Sequence, residues 1–466
     1  MLRRVARGRL TRRDPLEVDS PFETPTGGRP LRLVIDLTTA PSGDALDLLR
    51  SFAHHEAVEV LEYRGAIAPR GEPTVPEART GPGELRLSEP ESPTDWVRAK
   101  ALMDRRTVTT FAGEIHVLRN IAADAGSQPV EDAAQALAVA WATDSLGFDA
   151  LVTASPSLLG GIHENFVARG NPITVDDACW LLGLHLRSRD DYTLDAGESF
   201  TSTTTRSTFF AELARDLLPE SWRWLSACAH AWVNDRGSDV MGIGMSGLER
   251  FERALRSRDR VTQLRQLPHD SNVVDEEIFA FDVELLMLSA VFDATAMVAT
   301  RAYALPAKDA SVGWRRPAWR KSLGGVDRAL FDLTERGTPA RDAIEAVALM
   351  RNMIHGESLR METYWPRHHR VRVPDRTADD LRTIAERRGG MDVFGLDVVA
   401  GHGLYVDPGK YAERALRLAI DALNALMAAT EVERLVNDPT TLLTGPPASD
   451  TRDEWRRARC RLLAGL

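Results

Sequence analysis

The first part of the chain alternates between strand-like and helix-like segments, and this alternation constrains the fold more than any other feature. The apolar, β-branched run "LRLVIDL" (31–37) precedes the amphipathic stretch "DALDLLRSFAHH" (44–55). A second strand-like run, "AVEVLEYRG", follows at 57–65. Strands that are separated by helices predict a parallel sheet with crossover helices.

The alternation continues beyond a long segment of a different composition. Residues 66–95 are rich in proline, glycine and glutamate, which predicts an exposed loop. "VEDAAQALAVAWATDSLG" (130–147) then predicts a helix that leads into a buried strand, "FDALVTAS" (148–155). The segment "TVDDACWLLGLHLRSR" (174–189) is again helical, with a threonine or aspartate at its start.

Strand-like runs become rare after about residue 200, and helical periodicity takes over. It is carried by the segments 205–229, 244–265, 272–304, 326–355 and 409–436. We therefore predict an α/β domain followed by an all-α domain, the second a helical bundle. The predicted organisation is a disordered basic arm at 1–30, an α/β domain at 31–195, a helical domain at 205–440 and a C-terminal tail with a short helix at 441–466.

Composition excludes several classes of protein. With 43% hydrophobic residues and no apolar run near the roughly 18 residues that span a bilayer, we expect no membrane segment. The basic N-terminus lacks the apolar segment of a secretory signal, and the three cysteines are too scattered for a disulfide framework, so we expect a cytoplasmic protein. The net charge of −10 argues against a globally basic nucleic-acid binder but permits local basic patches.

One charged pair interrupts the apolar face of the predicted helix 326–355. Ile344, Val347, Arg351 and His355 are spaced three or four residues apart, so they share one stripe. Gly356 is a plausible helix stop, which leaves His355 in the last turn, where the helix dipole favours an imidazolium. An arginine and a histidine on the packed side of a helix either bridge neighbouring helices or form a functional site.

The segment "LMRNMIHG" resembles the signature of HEPN-type helical domains. In catalytic members of that family, two protomers bring such arginines and histidines together, and the composite site cleaves RNA without a metal. The resemblance implies that Arg351 holds the scissile phosphate, that Asn352 is the polar neighbour, and that His355 transfers a proton at the 2′-hydroxyl. Three residues separate Arg351 from His355, whereas catalytic members usually have four to six.

The N-terminal half resembles a divergent PIN-like nuclease domain through "LVIDLTT", "EIHVL" and "FDALVTASPSLL". The resemblance implies a carboxylate site formed by Asp36 after the first strand, Glu114 on a later helix and Asp132 at the start of the helix before the next strand. Ser155 stands where the family has a fourth acid. Because hard cations take oxygen ligands, we expect Mg²⁺ or Mn²⁺ to bind there, although weakly. The alternative is that these aspartates are helix caps.

Basic residues beside aromatic ones form a third candidate site. "GWRRPAWRKSLGG" places Arg315, Arg316 and Trp319 together, a combination that can bind phosphates and stack on bases. Arg367, in the run "RHHRVRV", is a further candidate for RNA contact. The alternatives are that the tryptophans anchor a loop to the bundle and that "RHHRVRV" is a basic surface strand.

These features together predict an RNA-directed protein, with metal-independent HEPN-type RNA cleavage as the leading activity. HEPN and PIN-like domains recur in bacterial toxin–antitoxin and phage-defence systems, so such a setting is expected by analogy. Expected partners are RNA, a second copy of the chain bound through the helical domain, and a partner or antitoxin protein. No cofactor is expected at the HEPN-like site. The alternative is a non-catalytic dimerisation or binding scaffold in which both nuclease-like sites have degenerated.

Overall fold

The structure is a computed structural model, and the chain forms two compact units, Met1–Arg206 with Ala458–Leu466, and Ser207–Arg457. It describes residues 29–68, 81–88, 96–103, 106–124, 126, 129–160, 170–234, 239–267, 270–356, 361–365, 368–445 and 451–466. At 66–68, 106, 354–356, 361–365, 368, 369, 451 and 452 it describes the backbone alone. The predicted basic arm lies, up to residue 28, outside the described residues.

The first unit, called the α/β unit below, contains nine strands and five helices among its described residues. The strands are β1 Leu31–Asp36, β2 Val58–Ala68, β3 Gly83–Ser88, β4 Trp96–Met103, β5 Arg106–Glu114, β6 Ala150–Val152, β7 Pro172–Ile173, β8 Thr193–Gly197 and β9 Phe200–Thr203. The helices are α1 Asp44–Ser51, α2 Ile115–Asp124, α3 Val130–Ser145, α4 Pro156–Leu159 and α5 Val175–Ser188, and a 3₁₀ turn covers Phe52–His54.

The seven strands of the main sheet follow the order β5-β4-β3-β2-β1-β6-β7. β1 pairs in parallel with β2 on one side, Leu33 opposite Val60, and with β6 on the other, Leu33 opposite Ala150. The predicted parallel sheet with crossover helices is confirmed for β3-β2-β1-β6-β7. Because the chain leaves β1 towards β2 and later returns to β6 on the other side, the carboxyl ends of β1 and β6 form a topological switch point.

The other end of the sheet is antiparallel, which the sequence analysis did not predict. β4 pairs antiparallel with both β3 and β5. The loop predicted at 66–95 is wrong for 83–88, because "GELRLS" is strand β3 and pairs with β2 and β4. Leu85 and Leu87 alternate with polar residues, but this pattern is too short to predict a strand within a segment rich in proline, glycine and glutamate. The strand forms because it pairs with a neighbour on each side.

Helices α2 and α3 pack on one face of this sheet. Their buried side chains, Leu118 and Leu137 among them, form one core cluster with strand residues such as Val34, Ala99 and Ala112. α3 is rich in alanine, the best helix former, and carries acidic residues in its first turn, where the helix dipole favours them. Thr174 caps α5 by accepting a hydrogen bond from the backbone N–H of Asp177 at 3.1 Å.

The C-terminal helix α15, Thr451–Ala464, ends within the α/β unit. The Arg187 guanidinium donates to the backbone carbonyl of Leu463 at 2.8 Å. Gly183 on α5 makes this approach possible, because a Cβ there would lie 2.0 Å from the same carbonyl oxygen. The helix predicted in the C-terminal tail is therefore a packed element of this unit over its last residues.

The second unit, called the helical unit, is built mainly from helices. They are α6 Arg206–Leu217, α7 Ser221–Val233, α8 Asp239–Leu264, α9 Ser271–Ala302, α10 Pro317–Gly324, α11 Arg328–Leu333, α12 Pro339–Gly356, α13 Asp375–Arg387 and α14 Pro408–Ala429. Short 3₁₀ turns cover Asp309–Ser311, Val432–Leu435 and Pro439–Thr441. An α/β unit followed by a larger helical unit confirms the predicted fold class at this level.

The helical unit also contains a four-stranded antiparallel sheet, so the all-α prediction for 205–440 needs correction. Its strands are β10 Met361–Trp365, β11 His368–Val373, β12 Leu396–Val399 and β13 Gly403–Val406, in the order β10-β11-β13-β12. The "RHHRVRV" run therefore lies largely in a strand, as one of its two interpretations required. In strands of four to six residues, the alternation of apolar and polar residues is too short to be recognised in a segment that is otherwise dominated by helical periodicity.

α9 is the central helix of this unit, with 32 residues and a length of about 48 Å. The Asp270 side chain caps it by accepting from the backbone N–H groups of Asn272 (2.9 Å) and Val273 (2.8 Å). In the described part of the chain it is the one helix long and apolar enough to cross a membrane, yet 61% of its apolar window is buried within the protein. Such burial is typical of a core helix in a soluble protein.

α8 and α9 pack against each other, and two buried layers of charge connect them to α14. In the first layer, Arg265 contacts Glu277 at 3.7 Å and Asp407, the residue that caps α14. In the second layer, seven residues earlier on α8, Arg258 donates from Nε to Glu413 at 2.9 Å. Glu284, seven residues later on α9 than Glu277, lies beside Arg258.

The two glutamates that α9 contributes to these layers resist ionisation because burial disfavours their charged form, whereas Arg265 holds the pKa of Asp407 below its ordinary value against the effect of burial. Glu284 is fully buried, and neither of its carboxylate oxygens has a hydrogen-bond partner in the described part of the chain. Burial raises its pKa well above the ordinary value. Burial also raises the pKa of Glu277 to about 7, against the opposing effect of Arg265. Both glutamates therefore keep their protons at pH values where exposed glutamates have lost them.

We predict that the stability of the helical unit falls as pH rises. Because the folded-state pKa of Glu277 is raised, folding retains a proton that the unfolded chain releases above pH 4.5. The contribution is fully present below pH 4.5 and is lost by about pH 7, a change on the order of 3 kcal/mol. Urea unfolding of the Glu277→Gln chain between pH 4.5 and 7.5 should show a smaller decrease than the wild type.

Glu276→Gln is the matched control, because its side chain is 58% exposed at the neighbouring position. The control should follow the wild-type pH profile. Parallel profiles for wild type and Glu277→Gln would show that this carboxyl titrates normally in the folded chain.

Candidate functional site

Arg351 lies near the end of α12, on the stripe that the sequence analysis singled out. Ile344 and Val347 on the same stripe are buried, whereas Arg351 is half-buried. Its guanidinium makes one hydrogen bond, a local one to Asn352 Oδ1 at 3.3 Å, and its Nε is buried without a partner in the described part of the chain. Arg351 thus has hydrogen-bonding capacity that its own helix does not satisfy.

Arg351 is part of a group of arginines from different elements, called the arginine cluster below. All its members lie within electrostatic range of the same carboxylate, that of Asp293 on α9, and they are Arg351, Arg250 on α8, and Arg315 and Arg316 in the segment that leads into α10. The structure therefore brings together two groups that were predicted separately, the HEPN-like arginine and the arginines of "GWRRPAWRKSLGG".

Two tryptophans hold the arginine-bearing segment on α9. Trp314 donates its indole N–H to the carbonyl of Phe292 and to Thr295 Oγ1, each at 3.0 Å. Trp319 donates to Thr300 Oγ1 at 2.8 Å, and the two rings meet edge to face at 5.0 Å. Gly313, with a φ of +151°, provides the backbone conformation that brings the segment past Asp293.

The role predicted for Trp319 in RNA binding needs correction, and the alternative interpretation holds. Its side chain is only 3% exposed and its indole N–H is already bonded, so no face is available for stacking on a base. Trp319 is an anchor that positions Arg315 and Arg316. Arg367 and the side chain of His355 lie outside the described residues, while the backbone of His355 is in the last turn of α12.

The electrostatics of the cluster favour an anionic ligand. Arg315 is paired with Glu345 at 2.8 Å, but the structure gives Arg250, Arg316 and Arg351 no salt bridge among the described residues. Desolvation raises the pKa of Asp293, while the four arginines of the cluster act in the opposite direction. Four arginines thus act on the carboxylate of Asp293, in a chain whose net charge is −10.

Arg250 and Asp293 were missed in the sequence analysis. They form a third layer on α8 and α9, eight residues before Arg258 and nine after Glu284, and this layer opens towards solvent. The signal in the sequence is the repeat of basic residues along α8 against acidic residues along α9. It becomes visible only when the two helices are aligned in antiparallel register.

Asp36 lies at the topological switch point of the α/β unit, at the end of β1, and is 2% exposed. Its carboxylate accepts hydrogen bonds from the hydroxyls of Thr38 (2.5 Å), Thr39 (2.7 Å) and Thr153 (3.1 Å), and from the backbone N–H of Thr38 (3.1 Å). Ser155, at the position of the expected fourth acid, is buried and shares a hydrogen bond with Ser157 at 2.8 Å. The side chains that bond this carboxylate are therefore hydroxyl groups, in the part of the chain that the structure describes.

The other two predicted metal ligands do not complete a metal site with Asp36 among the described residues. Glu114 is the last residue of β5 rather than part of a helix, and β5 is four strands from β1, about 19 Å in a flat sheet. Its carboxylate lies 3.4 Å from His116. Asp132 is exposed in the first turn of α3. Among the described residues, no three His, Cys, Asp or Glu side chains are grouped so as to hold a metal ion.

We predict that Asp36 contributes more to stability than an exposed aspartate does. Asp36→Ala leaves the buried hydroxyl of Thr153 and the half-buried hydroxyl of Thr39 without this acceptor, which costs about 1–3 kcal/mol. Asp132→Ala is the matched control, because an exposed acid in a first helical turn contributes about 0.3–1 kcal/mol. The midpoint of urea unfolding should fall more for Asp36→Ala, and equal shifts for the two variants would contradict the prediction.

Comparison with known proteins found no relative of this chain. No protein-family model, no curated protein and no solved structure matches the chain. The function must therefore be inferred from the chemistry of the sites themselves.

Proposed function

We propose that this chain is an RNA-directed protein whose helical unit binds RNA phosphates through the arginine cluster. The observation that carries the proposal is that Arg250, Arg315, Arg316 and Arg351, from different elements, all lie within electrostatic range of Asp293 on α9. A guanidinium matches phosphate bidentately and stays charged at every physiological pH. Phosphate would provide the counter-charge that the described carboxylates do not supply.

The leading activity is metal-independent RNA cleavage of the HEPN type. Arg351 would hold the scissile phosphate and Asn352 would be its polar neighbour, while His355 would remove the proton of the 2′-hydroxyl. The 2′-oxygen then bonds to phosphorus, the bond from phosphorus to the 5′-oxygen breaks, and the 5′-oxygen takes a proton from water, giving a 2′,3′-cyclic phosphate and a 5′-hydroxyl end. Imidazole suits this transfer because its ordinary pKa lies near neutral pH. No cofactor takes part.

A second candidate is a non-catalytic scaffold that binds RNA or a protein partner. The spacing of three residues between Arg351 and His355 favours it, because catalytic HEPN members usually have a longer spacing. The hydrogen bonds of Asp36 also favour the scaffold, because a carboxylate that already accepts four hydrogen bonds has little capacity left for a metal ion. Any Mg²⁺ or Mn²⁺ binding at the PIN-like site is then weak.

The cellular setting proposed with this function is a cytoplasmic toxin–antitoxin or phage-defence system. The RNA substrate, an antitoxin-like partner and a homodimer formed through the helical unit belong to the same proposal. It rests on analogy with the families that the two motifs resemble.

We predict that purified wild-type protein cleaves RNA in the presence of EDTA and that His355→Ala does so about a hundredfold to ten-thousandfold more slowly. Arg351→Lys should also be slow, because a point charge cannot reproduce the bidentate phosphate contact. Arg328→Ala, at an arginine that is 74% exposed elsewhere in the same unit, is the control and should cleave at the wild-type rate. Labelled RNA on denaturing gels measures all four proteins.

Variants of the same three residues, with Arg351→Ala added, separate the two candidate functions. Undiminished cleavage by His355→Ala would exclude catalysis at this site. RNA binding without cleavage by the wild type, weakened in Arg351→Ala and not in Arg328→Ala, would support the scaffold.

We also predict a two-fold dimer with Arg351 near its axis, since a composite site needs a second copy of the residue. Light scattering at micromolar concentration should give twice the chain mass of 51.5 kDa. The chain mass itself at that concentration would contradict the prediction.

A further inference from the structure

Two large aromatic side chains lie exposed on neighbouring strands at the antiparallel end of the main sheet. Trp96 on β4 is 50% exposed and Phe111 on β5 is 54% exposed. Their rings meet edge to face, with centroids 5.8 Å apart and planes at 72°. Exposed aromatic rings in contact leave apolar surface in water, which is unfavourable unless a ligand covers it.

Two cations share this face with the aromatic rings. Arg98 and Lys100 follow Trp96 at intervals of two residues, so all three side chains project from the same side of β4. Arg98 lies opposite Phe111 in the register, and Lys100 lies opposite Thr109. Neither cation forms a hydrogen bond or an ion pair with any carboxylate in the described part of the chain. Their charge is available to a ligand.

The opposite side of the same strands is packed, so this face is held rigidly. Val97, Ala99 and Ala101 alternate with the exposed residues of β4, and all three are buried in the core beneath α2 and α3. Gly113 has a φ of +100°, and a Cβ there would lie 2.7 Å from the ring of Trp141 on α3. This close approach fixes β5 against the helix, and with it the position of Phe111.

We propose that this face, called the aromatic face and formed by Trp96, Arg98, Lys100, Thr109 and Phe111, binds single-stranded nucleic acid. Bases stack on the two rings, and phosphates lie against the two cations. Thr109 is an exposed hydroxyl on the same face that can donate a further hydrogen bond to phosphate. The site is separate from the arginine cluster and does not depend on catalysis there.

The composition of the face distinguishes among possible occupants. Duplex bases are stacked on one another and cannot reach the rings, so a single strand fits better. A purely apolar partner would leave Arg98 and Lys100 desolvated without counter-charge, which is unfavourable. A peptide strand added to the free edge of β5 would bind through backbone groups, and truncating the rings would then have a small effect. The combination of rings and unpaired cations favours a polyanion with planar bases.

The test is the affinity of the full chain for fluorescein-labelled 15-nucleotide oligouridylate and oligothymidylate, measured by fluorescence anisotropy. Trp96→Ala and Phe111→Ala should each weaken binding about fivefold to a hundredfold, because one stacked base is lost. Trp96→Phe and Phe111→Tyr keep a ring and should bind nearly as well as the wild type. Arg98→Ala should reduce the salt dependence, lowering the slope of log affinity against log salt by about 0.7.

Phe200→Ala is the matched control, because this phenylalanine is 60% exposed in the same unit but lies on a different sheet. It should bind like the wild type, and thermal melting should show all variants folded. Introducing Trp96→Ala into an Arg351→Ala chain tests whether the two sites are independent. If they are, Trp96→Ala should weaken oligonucleotide binding by the same factor in the wild-type and the Arg351→Ala chains.

The proposal is overturned if neither oligonucleotide binds the wild type, or if Trp96→Ala and Phe111→Ala bind as tightly as Phe200→Ala. It is also overturned if the ring-preserving variants lose as much affinity as the alanine variants. Tighter binding of oligouridylate than of oligothymidylate would identify RNA as the preferred strand, and equal binding would identify single strands of either sugar.

Discussion

The packing of α8 against α9 through successive layers of opposite charge supports the rest of the helical unit. Arg265 lies 3.7 Å from Glu277 on α9 and pairs with Asp407, which caps α14. Arg258 pairs with Glu413 of α14 and lies within electrostatic range of Glu284 on α9, so two arginines relate three helices to one another. Burying such groups is costly, and losing one partner would leave an uncompensated charge in the core. The alignment of these helices is therefore strongly specified, even though each layer adds little net stability.

The arginine cluster is a consequence of that alignment. The third layer, Arg250 with Asp293, reaches the surface, where Arg351 of α12 and the segment anchored by Trp314 meet it. The same pairing of arginine and acid that sets the register of the interior thus brings several arginines near one carboxylate at its outer end. A structural role and the proposed phosphate-binding role are compatible here, because the buried layers position the helices, while Arg250 of the exposed layer forms no ion pair with another described residue.

The two proposed nucleic-acid surfaces use different chemistry. The arginine cluster offers guanidinium groups, which recognise phosphate and read no base. The aromatic face offers rings, which stack on bases of any identity, together with cations for the phosphates. Both surfaces concentrate positive charge within a chain whose net charge is −10, so each must act locally and weaken with added salt. A single strand has phosphates for the arginine cluster and unstacked bases for the aromatic face, whereas a duplex offers only the phosphates.

The sequence by itself determined the elements that depend on neighbouring residues. The hydrophobic run of β1, the alanine-rich α3 and the long apolar α9 all follow from local periodicity, as does the stripe that carries Arg351. Three of the four arginines now seen in the cluster were also candidates from the sequence. Only the tertiary structure decided the features that depend on contacts between residues far apart in the sequence. It made "GELRLS" a strand, buried Trp319 as an anchor and placed Glu114 four strands from Asp36. It also joined Arg250 and Asp293 to Arg351, because strand pairing and helix register are set by contacts between residues far apart in the chain, and no local pattern records them.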